Sequence, residues 1–163
     1  MRRRTLLALA GLVGGLWPAA VVAQQSSAAP VTSAATDAYA VVTRLFDAMR
    51  ARDTTTMRAL FVPNATMQTL RDTSVTMDRI DGWLAGVARA PQGLRLDERV
   101  ANPVIQVDAN LASIWVDYWF FAGDRFSHCG VDALWLTRQA GAWRIFSIVD
   151  TRRTAGCAPP PAG

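Results

Sequence analysis

Several residue types are scarce in this chain, and each shortage removes a class of function. Of its 163 residues none is lysine; all 17 basic residues are arginine, which reads as compositional bias with no functional weight. There is one histidine, and the two cysteines lie far apart in sequence, so no metal-ligand spacing exists and neither a metal nor a cofactor is expected. No glycine-rich phosphate loop is present, and no Gly-x-Ser-x-Gly elbow. No basic patch interleaved with aromatics appears, which argues against nucleic acid as a partner. Long apolar runs are missing too. The run from Thr5 to Val13 is short and is followed by Gly14-Gly15 and Pro18, so no stable membrane anchor is expected.

What the amino terminus does offer is an export leader. Arg2-Arg3-Arg4 precedes the apolar run, and Val21-Val22-Ala23 supplies a small-residue cleavage site, giving a signal peptide over residues 1–23. Arg3-Arg4 also fits a twin-arginine signal loosely. The destination is periplasmic or secreted, in a bacterial setting. Three of the 17 basic residues and none of the 13 acidic ones lie in the leader, so the +4 of the whole chain falls to +1 beyond it. Residues 24–35 are small and polar and read as a disordered linker. The tail, 154–163, ends in a proline run and reads the same way.

The rest is organised around Leu111 to Arg153, which reads as three long strands joined at Gly123-Asp124 and Ala140-Gly141. Pairing outward from these turns sets Phe120 opposite Phe126, Tyr118 opposite His128 and Ile114 opposite Asp132. It also sets Asp132 opposite Ile148, Gly130 opposite Asp150 and His128 opposite Arg152. Alternation then places Ile114, Val116, Tyr118, Phe120, Phe126, His128, Asp132, Leu134, Leu136, Phe146, Ile148, Asp150 and Arg152 on one face. Trp115, Trp119, Phe121, Cys129, Trp135, Ile145 and Val149 take the other. A bulge or one-residue slip would exchange them.

Ahead of these strands, Tyr39, Val42, Leu45, Phe46 and Met49 recur at helical spacing behind Thr36 or Asp37 as cap. Asp53 caps a short second helix, Thr54 to Leu60, that Pro63 stops. Asn64 to Leu70 and Ser74 to Met77 are short strands. Asp78 caps a third helix, Arg79 to Arg89, and Leu94 to Val107 is a long strand interrupted near Asn102-Pro103. Helices preceding a run of strands predict an α+β domain over residues 36–153.

The segments Leu45-Phe46-Asp47-Ala48-Met49, Ala59 to Ala65, Phe126 to Asp132, Trp143-Arg144-Ile145 and Asp150 to Arg153 carry a resemblance. The chain resembles SnoaL-like members of the nuclear transport factor 2-like superfamily over residues 36–153. The resemblance implies a cone-shaped, cystatin-like fold in which a curved antiparallel sheet wraps around the N-terminal helices. It implies no single activity, because that superfamily includes isomerases, dehydratases, cyclases and non-catalytic binding modules.

Tyr118, His128, Asp132 and Asp150 share one face of the predicted sheet and are the candidate catalytic residues. Tyr39, Phe46, Trp83, Phe120 and Arg152 are the candidate ligand contacts around them. Apolar walls with a few convergent titratable groups suit a small-molecule site, and desolvated, neighbouring carboxyls suit proton transfer beside a carbonyl. The structural alternative is a core histidine and aspartates paired with Arg144 or Arg152. Two functions follow: an exported module binding a small apolar molecule, or an acid–base enzyme of isomerase, dehydratase or cyclase type.

The tryptophan-rich second face predicts a homodimer interface, unless a helix or the C-terminal tail covers it. In an oxidising compartment Cys129 and Cys157 predict one disulfide, which needs the chain after Arg153 to fold back.

Overall fold

The computed structural model describes residues 32–160. The expected leader and most of the expected linker lie outside them. The described elements run α1 (Ser33–Ala51), α2 (Thr54–Ala59), β1 (Phe61–Arg71), β2 (Ser74–Arg79), α3 (Ile80–Arg89), β3 (Leu96–Asp108), β4 (Leu111–Ala122), β5 (Arg125–Gln139) and β6 (Ala142–Thr151). The strands form one curved, unclosed sheet in the order β2-β1-β6-β5-β4-β3. Among the described residues no helix is long and apolar enough to cross a membrane.

Helix α1 buries Val42, Leu45, Phe46 and Met49 of the predicted stripe, with Ala38 buried and Tyr39 only partly so. It begins a turn before the expected cap: the Thr32 hydroxyl accepts from Ala35 N–H at 3.2 Å, so the domain reaches back into the expected linker. Asp53 caps α2 as predicted, accepting from Thr56 N–H at 2.9 Å. Asp78 does not cap α3. It belongs to β2, the cap position is Arg79 with no side-chain bond, and Asp81 in the first turn pairs with Arg58 instead. Pro63 lies within β1 and terminates nothing.

Two arginines at the end of α1 fasten the helix layer. Arg50 donates from Nε to the buried Asp97 of β3 at 2.7 Å, and Asp97 also holds Arg99 at 3.1 Å. Arg52, in the left-handed conformation that ends the helix, donates to the carbonyls of Pro91 at 2.9 Å and Ala88 at 3.1 Å. These bonds consume the free carbonyls at the end of α3 and tie it to α1.

The sheet departs from expectation in two ways. One pair, β1 with β6, is parallel, so the sheet is mixed. The interruption expected near Asn102-Pro103 is present, as a register shift between Ala101 and Val104 with Asn102 at φ 54°. Most consequential, both long hairpins carry a bulge. Near the first turn Phe121 pairs with Phe126, but past the shift Phe120 meets His128, Tyr118 meets Gly130 and Val116 meets Asp132. In the second, Leu136 meets Ile145, then Trp135 meets Ser147 and Asp132 meets Asp150.

The predicted pairs beyond each bulge are therefore two residues out. A slip of two leaves every side chain on its own face, whereas a slip of one reverses it. So the sorting of Tyr118, His128, Asp132 and Asp150 onto one face holds. It fails on the turn side of each bulge. Phe126 stacks edge-on with Phe121 at 5.7 Å on the opposite face, and Ile145, not Phe146, joins the core.

The tail is not free of structure up to Ala158. Cys129 and Cys157 are bridged, with Cα atoms 6.0 Å apart, and Cys129 pairs with Arg153 across an isolated antiparallel bridge. Gly156, at φ 68°, helps turn the chain back. Ala158 then accepts from the Trp119 indole N–H at 2.7 Å, covering that ring. Trp115 and Trp135, on the same face, stay 52% and 40% exposed.

Candidate functional site

Between the helices and the sheet lies a cavity of about 260 Å³. Phe46 of α1, Trp83 of α3, Leu96 of β3 and Phe120 of β4 form apolar walls. The polar groups come from the sheet: Tyr118, His128, Asp132, Asp150 and Arg152, with Glu98 from β3. Eight of the nine predicted site residues thus line one cavity. Tyr39 is the exception. It lies partly buried against the core from α1, two turns before Phe46, and does not line the cavity.

Asp150 is the best-anchored of the acids. Register pairs it with Thr69 of β1, whose hydroxyl donates to Oδ1 at 2.5 Å. Tyr118 lies 3.4 Å from Oδ2, and Arg152 pairs with the same oxygen at 3.7 Å. Tyr118 gives its shorter bond, 2.9 Å, to the Thr151 carbonyl. Burial first, and then the charges of Asp132, Asp150 and Glu98, raise the Tyr118 phenol well above its ordinary value. The hydroxyl therefore keeps its proton.

His128 stands between two rings, 5.0 Å from Phe120 and 5.7 Å edge-on from Tyr118, with Ser127 Oγ 2.9 Å from Nδ1. Burial, reinforced by Arg152 and Arg71, lowers it to about 4. It is a neutral imidazole at physiological pH.

Glu98 and Asp132 form the second polar group. Asp132 is 3% exposed, and its carboxyl hydrogen-bonds that of Glu98. Desolvation raises Asp132 well above the ordinary carboxyl range; the neighbouring Glu98 charge and that bond add to it, because Asp132 holds the proton. Desolvation likewise pushes Glu98 up to about 7, against the bond it accepts from Asp132. The pair shares a proton near neutral pH.

Glu98 and Thr69 are the residues that sequence reasoning missed. For Glu98 a signal exists: Leu96, Glu98 and Val100 alternate on one row of β3, so a carboxyl sits between two inward apolar positions. Its pairing with Phe120 places it beside the predicted site. Thr69 carried no such signal, because it depends on the parallel β1–β6 pairing. Among the described residues, no three His, Cys, Asp or Glu side chains are arranged to hold a metal ion.

Helices packed on one face of a curved sheet around a polar-floored cavity define a nuclear transport factor 2-like domain, the superfamily the sequence resembled. By sequence profile, residues 33–149 match the family described as "Putative lumazine-binding", and the chain belongs to that family. No curated protein matches.

Solved structures share the fold at low identity. A nuclear transport factor 2-like protein of Shewanella baltica is similar at 18% identity and TM-score 0.60, over 74% of this chain and 94% of its own. The beta subunit of a "putative aromatic-ring-hydroxylating dioxygenase" from Novosphingobium aromaticivorans is similar at 18% and 0.62, over 77% and 92%. A "putative dehydratase" from Streptomyces avermitilis is similar at 12% and 0.60, over 75% and 97%.

Proposed function

We propose that this protein is an exported small-molecule-binding domain whose ligand occupies the cavity between α1, α3 and the sheet. One observation carries the reading: Asp132, 97% buried, faces an aromatic-walled cavity beside a second acid, Glu98, and takes part in no ion pair among the described residues. A buried polar group without full partners costs stability, and a ligand that satisfies it recovers that cost. The family's description supports a small heterocyclic or similarly sized ligand. The Cys129–Cys157 bridge supports a working place outside the cytoplasm. Native mass spectrometry of protein purified from its source tests the reading. A co-purified molecule lost in a Phe120→Arg variant is the expected result; a cavity that retains nothing counts against it.

A second reading is acid–base catalysis on a small apolar carbonyl compound, favoured by a carboxyl, Glu98, that titrates near 7. It predicts deuterium exchange into such compounds, lost in Asp132→Asn. We also propose that a second copy of the chain covers the face away from the helices, where Trp115, Trp135 and Val104 are exposed.

A further inference from the structure

The cavity holds more acid than its arginine balances. Arg152 is matched to Asp150. Glu98 and Asp132 take part in no ion pair among the described residues. Arg50, the nearest cation on α1, spends its guanidinium on Asp97, Asp47 and the Glu98 carbonyl. The remaining charged or titratable groups facing the pair are Tyr118, His128, Asp150 and Arg152, with Arg71 beyond His128. Tyr118 donates away to Thr151, and His128 is neutral. The pair is thus a desolvated acidic site with no ion-pair partner among the described residues, felt by Arg152 and Arg50 only at longer range.

The walls narrow what can complement it. The acids do not form a metal-holding group, and Phe46, Trp83, Phe120 and the Tyr118 ring surround the space with aromatic surface. Aromatic faces favour organic cations, and paired carboxyls favour planar groups with several N–H donors. We infer that the cavity binds an organic nitrogen base as its cation, its N–H donors on Glu98 and Asp132 and its aromatic-sized body against Phe46, Trp83 and Phe120.

The inference rests on the cavity being a small-molecule site, and it adds the ligand's charge. It also fixes a proton balance. With the cavity empty, Glu98, raised to about 7, still holds a proton in the mildly acidic range. A bound cation replaces it, and the proton leaves to solvent. Affinity for a permanently charged cation therefore rises with pH as the pair gives up that proton.

The test uses three probes of one shape on the disulfide-intact protein: benzamidine, benzamide and benzoate. Isothermal titration at pH 5.5 and pH 8, in buffers of different ionisation enthalpy, reads affinity and proton release together. At pH 8 benzamidine is expected to bind at least about tenfold tighter than benzamide, roughly 1.4 kcal/mol, with benzoate weakest. Its affinity is expected to rise from pH 5.5 to pH 8 with release of protons, and Glu98→Gln to flatten that rise. Should that variant fail to fold, the wild-type comparison of the three probes decides alone. Benzamide binding as tightly as benzamidine, or benzamidine binding that does not strengthen with pH, overturns the inference and leaves the small-molecule reading standing. If no probe binds and no molecule co-purifies, both fall.

Discussion

Gly130 and Thr151 are pressed together: a Cβ on Gly130 would lie 1.8 Å from the Thr151 carbonyl oxygen and 2.7 Å from Tyr118 Cε1. That close approach brings the Thr151 carbonyl within reach of the Tyr118 hydroxyl, while the Thr151 side chain accepts from Val131 N–H at 3.0 Å. Because the obstacle is backbone, it cannot rotate aside. Gly130→Ala is expected to cost about 3 kcal/mol or more, measured as a lower urea midpoint. A variant as stable as the parent would mean the strands are not packed this way.

The acid pair makes stability depend on pH in a defined direction. Glu98 is raised from 4.5 to about 7, so between those values the folded chain holds a proton that the unfolded chain has lost. Its contribution is fully present below the unfolded value and is lost as pH rises through 7. Glu98→Gln removes this dependence. Relative to the parent, the variant should gain about 2 kcal/mol between pH 5 and pH 8 in urea melts. His128, lowered to about 4, acts oppositely: its contribution is lost as pH falls from 6.5 through 4. The comparison of variant with parent cancels that effect. A gap that does not change with pH would show that Glu98 is not desolvated.

The Cys129–Cys157 bridge closes a loop of 28 residues and holds the tail over Trp119. Constraining the unfolded chain over that length is worth about 3–4 kcal/mol in the chain-entropy account. Cys157→Ser, or treatment with reductant, should lower the melting temperature and shift tryptophan fluorescence as Trp119 becomes wet. Identical melting with and without reductant would exclude a stabilising bridge.

How far this was legible follows from specific residues. The α1 stripe, the Asp53 cap and the two hairpin turns are local signals, and they led to the correct element order. The polar cluster was legible because strand faces have period two and the two register errors summed to two. Each bulge leaves one residue unpaired, Ser127 or Phe146, and nothing in their chemistry marks the spot. That is why Phe126 and Ile145 were assigned to the wrong face. Glu98 was visible in the alternation of β3 but was not picked out, because the segment was read only as an interrupted strand. Thr69 depended on pairing distant in sequence, which spacing does not encode.

The face away from the helices carries Trp115, Trp135 and Val104 exposed, and β2 adds Val75 and Met77. Register links these residues across the sheet: Val104 pairs with Trp115, and Met77 pairs with Gln68, whose side chain meets Ser147 beside Trp135. Sedimentation equilibrium at micromolar concentration is expected to give a dimer, and Trp115→Glu with Trp135→Glu a monomer. A parent protein that sediments as a monomer would remove the proposal.

Asp150 separates a structural role from a functional one. Its carboxylate accepts from Thr69 at 2.5 Å and pairs with Arg152 at 3.7 Å, and Arg152 Nε is buried without a hydrogen-bond partner. Asp150→Asn keeps an oxygen for Thr69 but removes the charge opposite Arg152. The cost should be about 1–3 kcal/mol, because a partly buried guanidinium is left uncompensated. In the Arg152→Gln background the same change should cost much less, since the charge it balances is already gone. A full cost in both backgrounds would assign the stabilisation to the Thr69 bond. If Asp150→Asn also abolishes ligand retention while the double variant restores it, Asp150 acts on the ligand only by neutralising Arg152. Loss of retention in both would put Asp150 itself in contact with the ligand.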